Sequence, residues 1–413
     1  LVRLRRLSIL GIGLVALLAA GCGGGGGGGG KAAGNTLTIY SSFPLQGASG
    51  GQGNAMKQGM QLAASEANNR VGKWKIRYEP LDDSLASTGA ADPGQASQNA
   101  RKAVQDKTTI AFLGAYNSGI SKVEIPILNK AGIAQISPAN TYVGLTTNGP
   151  GSEPGEPQKY YPTGKRTYAR IVPKDDIQGA ALVTAAKDAG CKSIHIWNSK
   201  TTYSAGLARN VSLAAHSAGI SVEGNDGLDV NAPNYRSLAA RIHAQCFIYT
   251  GEIESNGVEA IKDAAGVVKG RLFGGDGVCL NDMANPKKGL PPSVASRFEC
   301  TIATLDPKSF GPEGRRFFTD FRKRYHVASP DPYAIYGYET MELALDAIRR
   351  AGANGNDRQA VVNALFGTKN RHSVLGTYSI DKNGDTTLTD YGLYKMGNGA
   401  VVFDKVIKAA TTK

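Results

Sequence analysis

The chain has 413 residues, 41% hydrophobic and 20% charged, with 53 glycines. That composition describes a globular body, too long for one ordinary core and suited to two lobes. Forty-seven Lys and Arg against 34 Asp and Glu give a formal charge of +13, which suits an anionic surface. The basic residues are scattered, however, and no Lys and Arg stripe is interleaved with aromatics, which argues against nucleic acid as a partner.

At the start, Arg3, Arg5 and Arg6 precede an apolar stretch from Leu7 to Ala20, and Gly21 and Cys22 follow. A charged region, an apolar region and a small-residue step make up an export signal. The apolar stretch falls short of the roughly 20 residues that span lipid, and no later run reaches that length. Leu18, Ala19, Ala20, Gly21 and Cys22 resemble a bacterial lipobox, although the leucine stands one position further out than usual. The resemblance implies a signal peptide over 1–21 and a lipid on Cys22; the alternative is a soluble secreted protein cut after an alanine. Glycines dominate residues 22–34, and a chain without side chains stays a flexible coil, here a tether of roughly 20 Å. Once the three signal arginines leave, the charge falls to +10.

Beyond the tether, short apolar strands alternate with helical patterns. Strands are predicted at 36–45, 74–83, 109–115 and 133–137, with helices at 56–69, 95–106 and 121–132 between them. The same grammar repeats with strands at 166–173, 192–198, 220–224, 246–250 and 271–275, and helices at 178–190, 206–219, 235–244 and 257–266. Such alternation predicts α/β architecture: two doubly wound parallel sheets, with ligands outside the carboxyl ends of the strands. Helices follow at 314–327, 336–352 and 357–367, and residues 376–407 read as a hairpin-like tail with turns at Asn383-Gly384 and Asn398-Gly399.

Four cysteines remain beside Cys22. Cys279 and Cys300 flank a Pro- and Gly-containing loop, and an exported chain permits their disulfide. Cys191 and Cys246 each stand at the start of an apolar strand, where they either pair across neighbouring strands or remain buried small hydrophobes. No Cys-x-x-Cys or His-x-x-x-His spacing exists, so no metal is expected. Asp381, Asn383 and Asp385 invite a calcium reading, but Thr386 and Gly392 occupy the places where such a loop wants Gly and Glu. His195, His216, His243, His326 and His372 are isolated, and the chain lacks a Gly-x-Ser-x-Gly elbow, a Walker loop and a dinucleotide fingerprint. Neither catalysis nor a cofactor is expected.

The segments FPLQGASGGQGNAMKQGMQLAASEAN, GAYNSGISKVEIPILNKAGIAQISPANT, TYSAGLA, FGGDG, YGYETMELAL and YSIDKNGDTTLTDYGLYKMGNG, in that order, resemble the solute-binding proteins of branched-chain amino acid ABC transporters. The resemblance implies a type 1 periplasmic binding fold, two lobes joined by a three-strand hinge. Lobe one would comprise 35–165 and 302–389, lobe two 166–301 and 390–413, with crossings near Thr167, Thr301 and Tyr391. It further implies that Ser118 holds a ligand carboxylate, Ala139 gives a backbone contact, and Thr141 binds carboxylate or ammonium. Tyr203 would stand at the opposing lobe's mouth, Asp276 would pair with the α-ammonium, and Tyr333 or Tyr336 would lie near the ligand side chain. The residues support parts of this independently: Asn117 and Ser118 sit between an apolar strand and a helix, where free N–H groups suit a carboxylate. Asp276 lies among glycines after a strand, where a carboxylate can approach a cation.

Three positions depart from the family pattern. Gln52 stands where an aromatic is usual, Glu252 or Ile253 where another tyrosine often lies, and Asn117 replaces a small or sulfur-bearing residue. These changes make the pocket more polar than one tuned to leucine or valine, which keeps amides, urea and small aromatic acids open beside α-amino acids. The implied protein is a monomeric, exported lipoprotein, held at the outer face of the cytoplasmic membrane or in a periplasm, that delivers its ligand to ABC permease subunits. A sensory component is the alternative; a receptor module would be expected to continue into a membrane helix and a signalling domain.

Overall fold

A computed structural model describes residues 30–408; the predicted signal peptide, Cys22 and most of the glycine tether lie outside the described residues. The first lobe is built from β1 (Thr36–Phe43), α1 (Gly50–Glu66), β2 (Arg70–Val71), β3 (Trp74–Asp82), α2 (Pro93–Gln105), β4 (Thr109–Gly114), α3 (Ser118–Lys130), β5 (Ala134–Ser137) and β6 (Tyr168–Arg170). Its sheet runs β2-β3-β1-β4-β5-β6, parallel except for the short antiparallel edge strand β2. Side-chain alternation along β1 divides the core. Leu37 and Ile39 join the cluster under α1, whereas Tyr40 joins Phe112, Ala100 and Leu128 under α2 and α3, as the two-residue period of a strand requires. Burial on both faces explains why these strands read as continuous apolar runs.

The second lobe follows with α4 (Asp175–Asp188), β7 (Ser193–Asn198), α5 (Thr202–Ala218), β8 (Ser221–Gly227), α6 (Arg236–Ala239), β9 (Cys246–Tyr249), α7 (Gly257–Val267), β10 (Leu272–Gly274), α8 (Pro292–Ala295) and β11 (Phe298–Ile302). The chain then returns to the first lobe with α9 (Pro312–Tyr325), α10 (Ala334–Ala351), α11 (Arg358–Phe366) and a small hairpin, β12 (Arg371–Ser373) and β13 (Gly376–Tyr378). It finishes with β14 (Tyr391–Met396) and β15 (Val401–Ile407), which complete a second sheet ordered β15-β14-β11-β10-β9-β7-β8. The last two strands are antiparallel, so each lobe carries a mixed sheet with a parallel centre. Helices α1 and α10 approach closely because Gly337 carries no side chain: a Cβ there would stand 2.6 Å from the Met56 Cα.

Hinge strands join the two lobes. The first crossing follows Arg170 instead of lying near Thr167, because Tyr168–Arg170 pairs with β5 and completes the first sheet. The helix predicted over 235–244 shortens to the single turn α6, whose entry is fixed by Asp263 accepting from the Tyr235 N–H at 2.6 Å. Both candidate disulfides form, Cys191–Cys246 with a Cα separation of 5.9 Å and Cys279–Cys300 with 5.4 Å, within the normal range. No helix among the described residues is long and apolar enough to cross a membrane.

Candidate functional site

The cleft between the lobes is lined by Tyr116, Asn117, Ser118 and Ala139 from lobe one and by Tyr203, Glu252, Asp276 and Gly277 from lobe two. Every one lies just beyond the carboxyl end of a strand: β4, β5, β7, β9 or β10. That is where an open α/β sheet leaves a crevice. The enclosed free space is only about 20 Å³, room for about one water molecule, so side chains from the two lobes meet directly. A larger groove of about 330 Å³ on lobe one, beside α9 and α10, is a salt-bridged surface in which Arg371 meets Glu339 at 2.7 Å and Arg316 meets Asp320 at 3.2 Å.

Local sequence places the lobe-one residues. Asn117 is the cap residue of α3 and Ser118 its first helical residue, so the helix directs its free N–H groups and partial positive charge toward the cleft. On lobe two, Thr201 accepts from the Ser204 N–H and starts α5, which brings Tyr203 into the first turn. Its hydroxyl donates to Asp276 Oδ1 at 2.7 Å and accepts from the Gly277 N–H at 3.2 Å. Glycine is required at 277, for a Cβ there would come within 2.8 Å of the Gly251 oxygen. The loop bearing Asp276 is anchored three residues later, where Cys279 is bonded to Cys300 of β11.

Asp276 also accepts from the Tyr333 hydroxyl at 2.7 Å, so this one carboxylate joins a tyrosine of each lobe. Burial raises its pKa while the two hydroxyls pull the other way. Burial likewise pushes both tyrosines well above their ordinary value, which leaves them neutral donors rather than nucleophiles. Glu252 is buried too, and accepts from Ser199 at 2.7 Å and Thr201 at 2.6 Å. Its burial, with the neighbouring charge of Glu254, pushes its pKa up to about 7.

The other expected residues fall around this centre. Gln52 is fully buried and donates to the Tyr116 hydroxyl at 3.2 Å. Thr141 is buried beside Asp175, whose N–H donates to the Thr141 carbonyl at 2.9 Å, but it does not line the cleft. Tyr336 donates to the Ala303 carbonyl at 3.0 Å, at the second crossing, and Ile253 lies in a turn beyond Glu252. The sequence reading missed Tyr116, Gly277 and the closure contact at Glu254. That carboxylate accepts from Ser49 and, at 2.7 Å, from the Asn117 side chain, both in lobe one. Tyr116 stood within GAYNS; nothing local marked Glu254. No group of three or more His, Cys, Asp or Glu among the described residues could hold a metal ion.

Comparison with known proteins agrees with this architecture. The family profile described as "Periplasmic binding protein" matches residues 37–400. A Leu/Ile/Val-binding protein homolog 1 of Brucella suis is 26% identical over 407 residues, covering 96% of this chain and 98% of the relative. A leucine-binding protein of Thermotoga maritima superposes with a TM-score of 0.77 at 22% identity, covering 90% of this chain and 99% of that one. A solute-binding protein of R. palustris solved in complex with benzoate gives 0.74 at 17% identity, covering 92% and 98%. With two lobes closing on a cleft of neutral donors and carboxylates, and a profile match across nearly the whole body, the chain belongs to the periplasmic binding protein family, whose solute-binding members bind their ligand without transforming it.

Proposed function

We propose that the protein captures an α-amino acid between its lobes and hands it to the permease subunits of an ABC importer, while a lipid on Cys22 holds it at the membrane. The observation that carries this reading is the pairing of unlike ends in one cleft. Ser118 and the N-terminus of α3 suit a carboxylate, and Asp276 suits an ammonium. A zwitterion satisfies both, whereas a simple aromatic acid such as benzoate would leave the buried Asp276 without a counter-charge. In the same reading, Thr141 supports the carboxylate end from behind, and Tyr333 positions Asp276 from the opposite lobe.

A thermal-shift screen of twenty amino acids, urea, short amides and aromatic acids tests this. A ligand specific to the folded state adds about 4 kcal/mol of apparent stability at a thousand times its dissociation constant. Shifts confined to amides, urea or aromatic acids, with none for any α-amino acid, would transfer the site to those solutes. For the anchor, fatty-acid labelling should disappear in Cys22→Ser; an unlabelled wild-type protein would refute it.

A further inference from the structure

We propose that Glu252 selects a solute whose side chain ends in a second N–H-bearing group, an ammonium, guanidinium or carboxamide, over one with a purely hydrocarbon side chain. This rests on the reading above, in which Asp276 takes the α-ammonium. Two carboxylates, on separate loops after β9 and β10, line one cleft, and none of its eight lining residues is Lys, Arg or His. A single α-ammonium has use for one of them.

Glu252 is aimed without help from lobe one. Ser199 and Thr201 hold one oxygen each, and Ser255 adds a longer contact at 3.3 Å. Oε2 accepts from Ser199 and Ser255 and Oε1 from Thr201 alone, which leaves a lone pair on Oε1 for a ligand, and three hydroxyls from its own lobe fix the direction in which it is offered. The opposite wall presents acceptors as well. Asn117 uses its side-chain N–H on Glu254, and its amide oxygen is buried without a donor; the Gln52 amide oxygen is in the same condition. Glu254 adds a third negative group nearby, already engaged by Ser49 and Asn117. The surplus around this end of the cleft is therefore in acceptors and negative charge. A leucine side chain would dehydrate them and return no hydrogen bond, which is the situation in which a polar site rejects an apolar analogue most strongly. The elevated pKa of Glu252 fits the same picture, since burial and Glu254 raise it despite the hydroxyls of Thr201 and Ser199, and an incoming N–H or cation favours its ionised form.

Calorimetric titration of the full chain with arginine, lysine, glutamine, leucine and benzoate, repeated on Glu252→Gln and Glu252→Leu, tests the assignment. Wild type should bind at least one of arginine, lysine and glutamine about tenfold or more tighter than leucine. Glu252→Leu should abolish or reverse that preference. Glu252→Gln, which keeps the shape and can still accept from Ser199 or Thr201, should lose the cationic ligands while keeping glutamine if glutamine binds. Leucine binding as well as the others to wild type, or a preference unmoved in both variants, would overturn the role of Glu252 and leave amino-acid capture standing. Benzoate binding with no amino acid bound would overturn the amino-acid reading itself, and this inference with it.

Discussion

Replacing Asp276 by Asn and, separately, by Ala divides what its charge does from what its shape does. The carboxylate accepts one 2.7 Å hydrogen bond from Tyr203 and another from Tyr333. In Asp276→Ala both buried hydroxyls lose their acceptor, at about 1–3 kcal/mol for each, so the ligand-free protein should lose about 2–6 kcal/mol of stability. In Asp276→Asn one amide oxygen remains to accept, and about half that loss is expected. Binding should respond differently, because either substitution removes the counter-charge of a buried ammonium. Truncating one partner of such a pair costs about 2–5 kcal/mol, roughly 30-fold to several-thousand-fold in dissociation constant. Urea unfolding and calorimetric titration on the same preparations measure the two quantities. If Asp276→Asn binds an amino acid as tightly as wild type while Glu252→Gln loses it, the ammonium belongs to Glu252, and the roles given to the two loops are exchanged.

Two further substitutions probe closure and the lobe-one interior. Glu254→Ala removes both lobe-one contacts of that carboxylate; the radius of gyration by solution scattering should rise and ligand dissociation should quicken by about tenfold, and no change in either would remove Glu254 from the closure. Asp83 is fully buried, accepts from Ser42 at 3.1 Å, and has its pKa raised to about 8 by burial; the neighbouring carboxyl of Glu124 is raised as well, by its own burial and by Asp83. Because the folded protein keeps a proton on Asp83 that the unfolded chain releases near pH 4, its contribution makes stability fall as pH rises from about 4 to about 8 and level off beyond. Asp83→Asn should flatten that slope and stabilise the protein at pH 8 by a few kcal/mol, measured by urea midpoints across pH; an unchanged slope would show that Asp83 does not carry the proton.

Much of the cleft was legible because its residues obey local rules. An apolar run ending in Gly and a polar cap, as in TIAFLGAYNS, marks both a buried strand and the place where its carboxyl end meets solvent, which locates Asn117 and Ser118. The glycines around Asp276 mark a turn in the same way. The contacts that join the lobes were not legible, since they depend on how two sheets face each other. Ser49 and Glu254 are 205 residues apart, and ES in GEIES carries no signature beyond that of a turn. Likewise the resemblance offered Tyr333 or Tyr336 near the ligand side chain, but the hydrogen bond from the Tyr333 hydroxyl to Asp276 depends on how the lobes face each other. The misplaced first crossing has a simpler origin: apolar character marks 166–173 as a strand without saying which sheet it joins.

Arg170 and Asp385 deserve reading as a fastener. The guanidinium, fully buried at the end of β6, holds Asp385 at 2.9 Å, and Lys174 approaches the same carboxylate at 3.1 Å. Tyr391 then donates to the Pro173 carbonyl at 3.0 Å. The first and third crossings are thus laced to each other, and sliding one past the other would strand a buried charge at a cost of about 3–5 kcal/mol. The second crossing is tied to the third by the pairing of Ile302 with Gly392, so the three threads form one connected pivot rather than three independent ones. The path of any lobe opening is then constrained at the pivot, far along the chain from the cleft residues, and not only by what the cleft holds.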